Sequence, residues 1–319
     1  MYENEIRAEG PVTGKVIKVY GLYYLVRHDG GSVNCVLRGK LRQRKDLGRF
    51  SDPVAVGDMV EFELQDPQSG TIHDVLPRKT VFSRKEKGRN KREDIIASNI
   101  DQIVVIQSFR QPGLNLRFVD RLSVRGAVGG IATVLCINKA DLADQETVDY
   151  VGEYYANAPI DVVMVSALNG ENLEFLKEML DTKTSLLVGY SGVGKSTLMN
   201  KLYKGLDLRV AEVSPSTGKG RHTTTNVEVV YTGGDTSIID TPGLREFGLM
   251  DIEPHLAGEY FYEFRERGKE CQFIPCTHDH EPGCAVKHLL EEGYIHEDRY
   301  ESYLNILADI RSYRERKYQ

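Results

Sequence analysis

The order of four short polar motifs constrains this chain more than any other feature of its sequence. Asn138-Lys139-Ala140-Asp141 follows the apolar run 133–137, and Ser166-Ala167 follows 161–165. Gly189-Tyr190-Ser191-Gly192-Val193-Gly194-Lys195-Ser196 follows 185–188, and Asp240-Thr241-Pro242-Gly243 follows 237–239. A further apolar run, 102–107, precedes them all, and helical periodicity fills 116–128, 146–156, 172–180 and 195–203. Strands that alternate with helices predict an α/β fold whose parallel sheet is covered on both faces.

Each motif supplies one part of a single chemistry. The segment 189–196 matches G-x-x-x-x-G-K-[ST], a phosphate-binding loop, and it lies between a strand and a helix as that loop requires. Glycines let successive backbone N–H groups curl round an anion, and the helix N-terminus adds partial positive charge. Lys195 is expected to reach the β- and γ-phosphates and to act in catalysis, and Ser196 to ligate Mg²⁺ with Thr197 beside it. Asp240, at a strand end downstream of the loop, suits the carboxylate that serves the same ion, and Gly243 can turn its N–H to the γ-phosphate.

The base is selected elsewhere. The Asp141 carboxylate can accept two hydrogen bonds from N1–H and the exocyclic amine of guanine, whereas adenine has no such donor pair and would leave the charge unpaired. Asn138 can brace the loop, and the Lys139 stem can pack on the face of the base. At Ser166-Ala167 a backbone N–H can meet guanine O6.

In the usual arrangement the phosphate loop comes first and the base-recognition motifs last; here 138–141 and 166–167 precede 189–196 and 240–243. A sheet whose natural termini lie close together can be reopened elsewhere without losing its site. The expectation is a P-loop GTPase of circularly permuted topology over residues 94–245. Between its phosphate loop and Asp240 lies the polar stretch 214–225, a switch-loop candidate, in which Thr224 is favoured as the Mg²⁺-closing threonine and Thr223 and Thr225 are near alternatives. Leu244 stands where many GTPases carry a water-orienting glutamine, so another group must orient water, and His222 is the candidate.

Residues 1–77 read as five short strands with turns at 28–31 and 66–70, the pattern of a small closed barrel. An OB-fold, a frequent oligonucleotide binder, fits that pattern, although an SH3-like barrel looks similar at this level. Charge is unevenly spread: the net −6 divides into +6 over residues 1–92 and −12 over 93–319. Arg38, Lys40, Arg42, Arg44, Lys45 and Arg49 form one basic cluster, and 78–92 carries eight Lys/Arg against one Glu. Such density favours a polyanion such as nucleic acid, through counterion release. Residues 78–93 are accordingly read as a basic linker.

Residues 246–319 read as helical around Cys271-x4-Cys276-x-His278-x5-Cys284. Three thiolates and an imidazole suit tetrahedral Zn²⁺, and four protein ligands leave no open position, so the site is expected to be structural. His280 is a substitute fourth ligand, and Cys35 and Cys136 sit in apolar strands as plain core residues. There is no run of about 18 apolar residues and no signal-peptide pattern at residues 1–10, so the cytoplasm is the expected compartment.

Together the barrel, the motif order, the zinc spacing and Gly220-Arg221-His222-Thr223-Thr224-Thr225 resemble the bacterial ribosome small-subunit-dependent GTPase A (RsgA) family over essentially the whole chain. The resemblance implies an OB domain at 1–77, a permuted GTPase domain at 94–245 and a zinc-bearing helical domain at 246–319. It also implies a role in late maturation of the 30S subunit, contacts with 16S rRNA, and GTP hydrolysis that is faster on the ribosome. Nothing in the sequence points to an obligate dimer, so a monomer is the expectation. An apolar residue matching Leu244 and a histidine matching His222 are features that the resemblance adds.

Overall fold

The computed structural model describes residues 11–43, 50–85, 93–203, 227–241, 249 and 252–318. The elements run β1 (Val12–Tyr20), β2 (Tyr23–His28), β3 (Gly31–Leu37), β4 (Met59–Asp66), β5 (Ser69–Val75), β6 (Val81–Lys85), β7 (Glu93–Ser98), β8 (Gln102–Ser108), α1 (Leu116–Val128), β9 (Ala132–Asn138), α2 (Gln145–Tyr154) and β10 (Asp161–Met164). Then come α3 (Leu173–Leu180), β11 (Thr184–Val188), α4 (Lys195–Leu202), β12 (Glu228–Gly233), β13 (Thr236–Asp240), α5 (Tyr262–Gly268), α6 (Ala285–Glu291) and α7 (Glu297–Tyr318). They group into two compact units. One draws on residues up to 101, on 182–186 and on 216–242; the other on 102–181, on 187–215 and on residues from 243 onward.

In the first unit β1 pairs with β2 and β4, β2 with β3, and β5 with β4, all antiparallel, while β3 and β5 pair in parallel. That closes a five-stranded barrel in the order 1-2-3-5-4, the OB arrangement. Period-two alternation turns Val16, Tyr24, Val26, Val33, Cys35, Val60, Phe62 and Ile72 inward as one core. A Cβ at Gly14 would lie 2.5 Å from Val26 Cγ1 and 2.7 Å from the Arg27 carbonyl, so β1 can cross β2 only with glycine there. Beyond the barrel, β1 also pairs with β12 at Lys18 opposite Glu228, an ion pair of 2.6 Å, and β12 folds back on β13.

The stretch expected to be a linker carries structure at both ends. β6 and β7 form an antiparallel pair, and residues 86–92 between them lie outside the described residues. Val81 and Phe82 are embedded in a run of basic residues, which hides their strand pattern in the sequence. Arg78, counted in the basic cluster, has a side chain only 8% exposed. Its guanidinium donates to both Asp58 oxygens at 2.7 Å and to the Pro53 carbonyl at 2.8 Å. Its charge is therefore satisfied internally and does not add to an exposed basic surface.

In the second unit β8, β9 and β10 are parallel, with Val104 opposite Val134 and Cys136 opposite Val163. Every residue of β8 is buried, as a strand covered on both faces requires. Asn115 caps α1 by accepting from the Phe118 N–H at 3.0 Å, and α1 packs against β8 and β9. Val124 of α1 shares one core with Phe261, Phe264, Leu289, Tyr303, Ile306, Leu307 and Ile310, which joins the C-terminal helices to this unit.

Candidate functional site

The loop 189–194 leaves β11 and enters α4 at Lys195. Gly192 and Gly194 have φ of 88° and 93°, the left-handed region that glycine alone adopts at little cost. A Cβ at Gly189 would come within 2.3 Å of the Ile106 carbonyl, and one at Gly194 within 2.4 Å of Asn138 Nδ2. The glycines thus serve both curvature and close approach. Val193 is fully buried and anchors the loop, and the Tyr190 ring lies 4.5 Å from that of Phe118. Lys195 Nζ lies inside the curve, donating to the Gly189 carbonyl at 2.7 Å and the Tyr190 carbonyl at 3.1 Å. Ser196 is half-buried in the first turn of α4, and Ser191, Gly192 and Thr197 are exposed.

Asn138 ends β9 and is 3% exposed. Its Nδ2 donates to the Val193 carbonyl at 2.9 Å, and its Oδ1 accepts from the Ala167 N–H at 3.1 Å. One side chain therefore ties the 189–194 loop to the 138–141 and 166–167 segments. Lys139 adopts φ 62°, and its Nζ donates to the carbonyls of Arg110 and Gln111. Asp141 is exposed in the turn that follows and accepts a hydrogen bond from the Ser166 hydroxyl, which in turn accepts from the Asn169 N–H at 3.1 Å. This chain of bonds orients the carboxylate that would read the base.

The segment 109–113, after β8, is a participant that the sequence motifs did not single out. It supplies the carbonyls that hold Lys139, and Pro112 Cδ is 3.6 Å from where a Gly192 Cβ would stand. Only its Pro112-Gly113 turn signal marks it in the sequence.

Asp240 is half-buried at the end of β13 in the first unit. His222, Thr223, Thr224, Thr225, Gly243 and Leu244 lie outside the described residues, as do Arg44, Lys45 and Arg49.

The second constellation is metal-sized. Ligand atoms of Cys271, Cys276, His278 and Cys284 all fall within 4.8 Å of one another, and all four residues are buried. Cys271 Sγ and Cys284 Sγ are 3.9 Å apart, and His278 Nδ1 is 3.6 and 3.5 Å from them. A tetrahedral ion with bonds of about 2.3 Å sets its sulfurs roughly 3.8 Å apart, so the cluster fits one. Burial pushes the Cys276 thiol up to about 12, raises that of Cys284 and lowers the His278 imidazole. Burial alone thus disfavours the thiolates, and a dication at the centre would reverse that. Gly258 and Gly268 make room for the ring: a Cβ at Gly258 would lie 2.6 Å from His278 Cδ2. His280, the substitute ligand, is exposed and 3.7 Å from Asp279. Helix α7 clamps the loop: Tyr300 donates to the His278 carbonyl at 2.6 Å, Tyr303 to that of Thr277, and Arg311 to Asp279 at 2.7 Å.

The same helix carries a buried ion network. Arg299 pairs with Asp120 of α1 and with Glu263 of α5, and Tyr154 and Tyr155 also donate to Asp120.

Two family models match the chain, "RsgA GTPase" over residues 75–250 and "RsgA N-terminal domain" over 13–72. A small ribosomal subunit biogenesis GTPase RsgA of Christiangramia forsetii is 38% identical over 314 residues, covering 96% of this chain and 99% of its own. The protein of that name from Chlorobaculum parvum is 40% identical over 308 residues, covering 94% and 98%. Among solved structures, YjeQ from Thermotoga maritima superposes with a TM-score of 0.76 at 31% identity, covering 94% of this chain and 99% of that one. YloQ, described as a circularly permuted GTPase, gives 0.71 at 25% identity with 98% of each chain covered.

Proposed function

This chain belongs to the RsgA GTPase family, and we propose that it is a nucleotide-switched factor in late maturation of the 30S ribosomal subunit. Hydrolysis of GTP to GDP and phosphate is the reaction of that family. The observation that carries the assignment is the Asn138 side chain, bonded to Val193 of the phosphate loop and to Ala167 of the base loop.

In this reading Asp141 accepts from the guanine edge, Lys139 covers the face of the base, and a backbone N–H at Ser166-Ala167 meets O6. The N–H groups of 189–194 and of Lys195, Ser196 and Thr197 cradle the phosphates, and Lys195 Nζ leaves the loop carbonyls for the β- and γ-phosphates. Mg²⁺ carried with the nucleotide neutralises charge on the phosphates. Ser196, Asp240 and Thr224 offer it oxygen donors, the hard-ligand set that this ion takes. Gly243 turns its N–H toward the γ-phosphate, and His222 orients the attacking water. Phosphoryl transfer depends mainly on positioning and charge stabilisation, so docking that brings Thr224 and His222 to the nucleotide raises the rate.

The cluster of Cys271, Cys276, His278 and Cys284 holds one structural Zn²⁺. The domains divide at 1–77, 78–93, 94–245 and 246–319, with the barrel and the zinc domain facing 16S rRNA. The protein acts as a monomer in the cytoplasm. The test is GTP hydrolysis by the purified chain alone and with 30S subunits. Stimulation by the subunits is expected, and equal rates would refute the proposal.

A further inference from the structure

The strand that ends in Asp240 reaches the barrel through its neighbour β12, and both strands belong to the first unit with the barrel. Lys18 of β1 stands directly opposite Glu228 of β12, and Glu228 stands directly opposite Asp240 of β13. Directly opposite residues on neighbouring strands turn their side chains to one face, with Cβ atoms about 4.5–5.5 Å apart. Lys18, Glu228 and Asp240 therefore form a row across three strands. A cation of the barrel stands at one end of the row, and the carboxylate assigned to Mg²⁺ stands at the other.

Like charges placed directly opposite each other destabilise a strand pair. Glu228 and Asp240 are placed in that way, and Lys18 answers one of the two charges: its Nζ donates to Glu228 Oε2 at 2.6 Å. The two side chains are 30% and 44% exposed, so water and salt damp their field without cancelling it. Other barrel side chains hold the β12–β13 hairpin as well. The Arg27 guanidinium carbon stands 3.7 Å from the centre of the Tyr231 ring of β12. Lys15 Nζ donates to the Thr184 hydroxyl at 3.1 Å, and that hydroxyl is 2.9 Å from the hydroxyl of Ser237 in β13. The place of the hairpin thus does not depend on the Lys18–Glu228 bond alone, which leaves that bond able to act through its charge.

We propose that Lys18 and Glu228 are positioning residues for the nucleotide site, which set the charge beside Asp240 and with it the affinity of the site for Mg²⁺. The proposal rests on the reading of Asp240 as a carboxylate that serves this ion. A dication responds to the sum of the charges near it, and the intact pair contributes little. With Lys18 removed, the Glu228 charge stands alone and attracts the ion; with the Glu228 charge removed, Lys18 stands alone and repels it. The barrel thereby supplies one charge to the nucleotide site, in addition to offering a surface to a partner.

The test uses the full chain with a fluorescent, non-hydrolysable GTP analogue. It reads the Mg²⁺ concentration that gives half of the Mg²⁺-dependent rise in analogue affinity. Lys18→Met should lower that concentration about two- to fourfold, and Glu228→Gln should raise it by a similar factor, the size expected of one charge at least a strand's width from a dication and screened by salt. The double variant should return to within about twofold of the native value. A merely structural ion pair is broken by either substitution, so it would move both single variants in the same direction. A common direction, or no shift in either, overturns the proposal. Asp240→Asn should abolish most of the Mg²⁺-dependent rise. If the rise survives there intact, the reading of Asp240 fails and the proposal falls with it. If Asp240→Asn loses the rise while Lys18→Met and Glu228→Gln do not move apart, the proposal alone falls.

Discussion

Asn138 Nδ2 donates to the Val193 carbonyl at 2.9 Å, so the residue that opens the base-recognition motif holds the phosphate loop directly, although 55 positions separate the two. Ala167 bonds the other end of the same carboxamide. The segments 138–141, 166–167 and 189–196 are thus built as one object. Asn138→Ala removes both bonds inside a buried site and leaves the Val193 carbonyl and the Ala167 N–H without this partner. A loss of about 1–3 kcal/mol in nucleotide affinity is expected, roughly tenfold to a hundredfold in Kd. Titration with a fluorescent GDP analogue measures it.

Asp141→Asn keeps the shape of the side chain and replaces an acceptor by a donor. The guanine N1–H and amine lose their acceptor, so preference for GTP over ATP should fall by about a hundredfold or more. Competition between the two nucleotides for one labelled ligand gives the ratio, and an unchanged ratio would remove Asp141 from base recognition.

The metal cluster predicts one zinc per chain by elemental analysis. Gly258→Ala places a methyl 2.6 Å from His278 Cδ2 and should displace the imidazole that completes the ligand set. Zinc content should drop below one, and the melting temperature should fall, because structural zinc contributes directly to folding. Chelation of the native chain should produce the same loss. Retention of full stability without metal would show that the cluster is only a buried thiol group.

Arg299 is buried between Asp120 and Glu263, and its truncation strands two carboxylates in the interior. Arg299→Ala should cost about 3–5 kcal/mol in urea unfolding. Arg267→Ala, which breaks an exposed pair of 2.8 Å, should cost under about 1 kcal/mol.

Where an element rests on local pattern, the sequence discloses it. The 3.6-residue period of 116–128 marks α1 to the residue, and the apolar runs before 138, 166 and 189 mark β9, β10 and β11 within a residue or two. The glycines of the phosphate loop have a local cause and are legible for the same reason. What stays hidden depends on distant partners or on conflicting local signals. β6 is masked by the basic residues around Val81 and Phe82, and β12 by the polar ends of Glu228–Gly233. Nothing near Arg299 in sequence announces Asp120, which lies 179 positions away. Arg78 reads as a phosphate contact until Asp58 is found beside it.

The most direct test of the account is calorimetric titration of GTP with Mg²⁺ into the native chain and into Asp141→Asn and Lys195→Ala. A single site per chain is predicted, whose one isotherm both substitutions weaken, because both side chains grip the same nucleotide. A second saturable site, or a variant that binds as the native chain does, would place the two residues on different ligands and contradict the account.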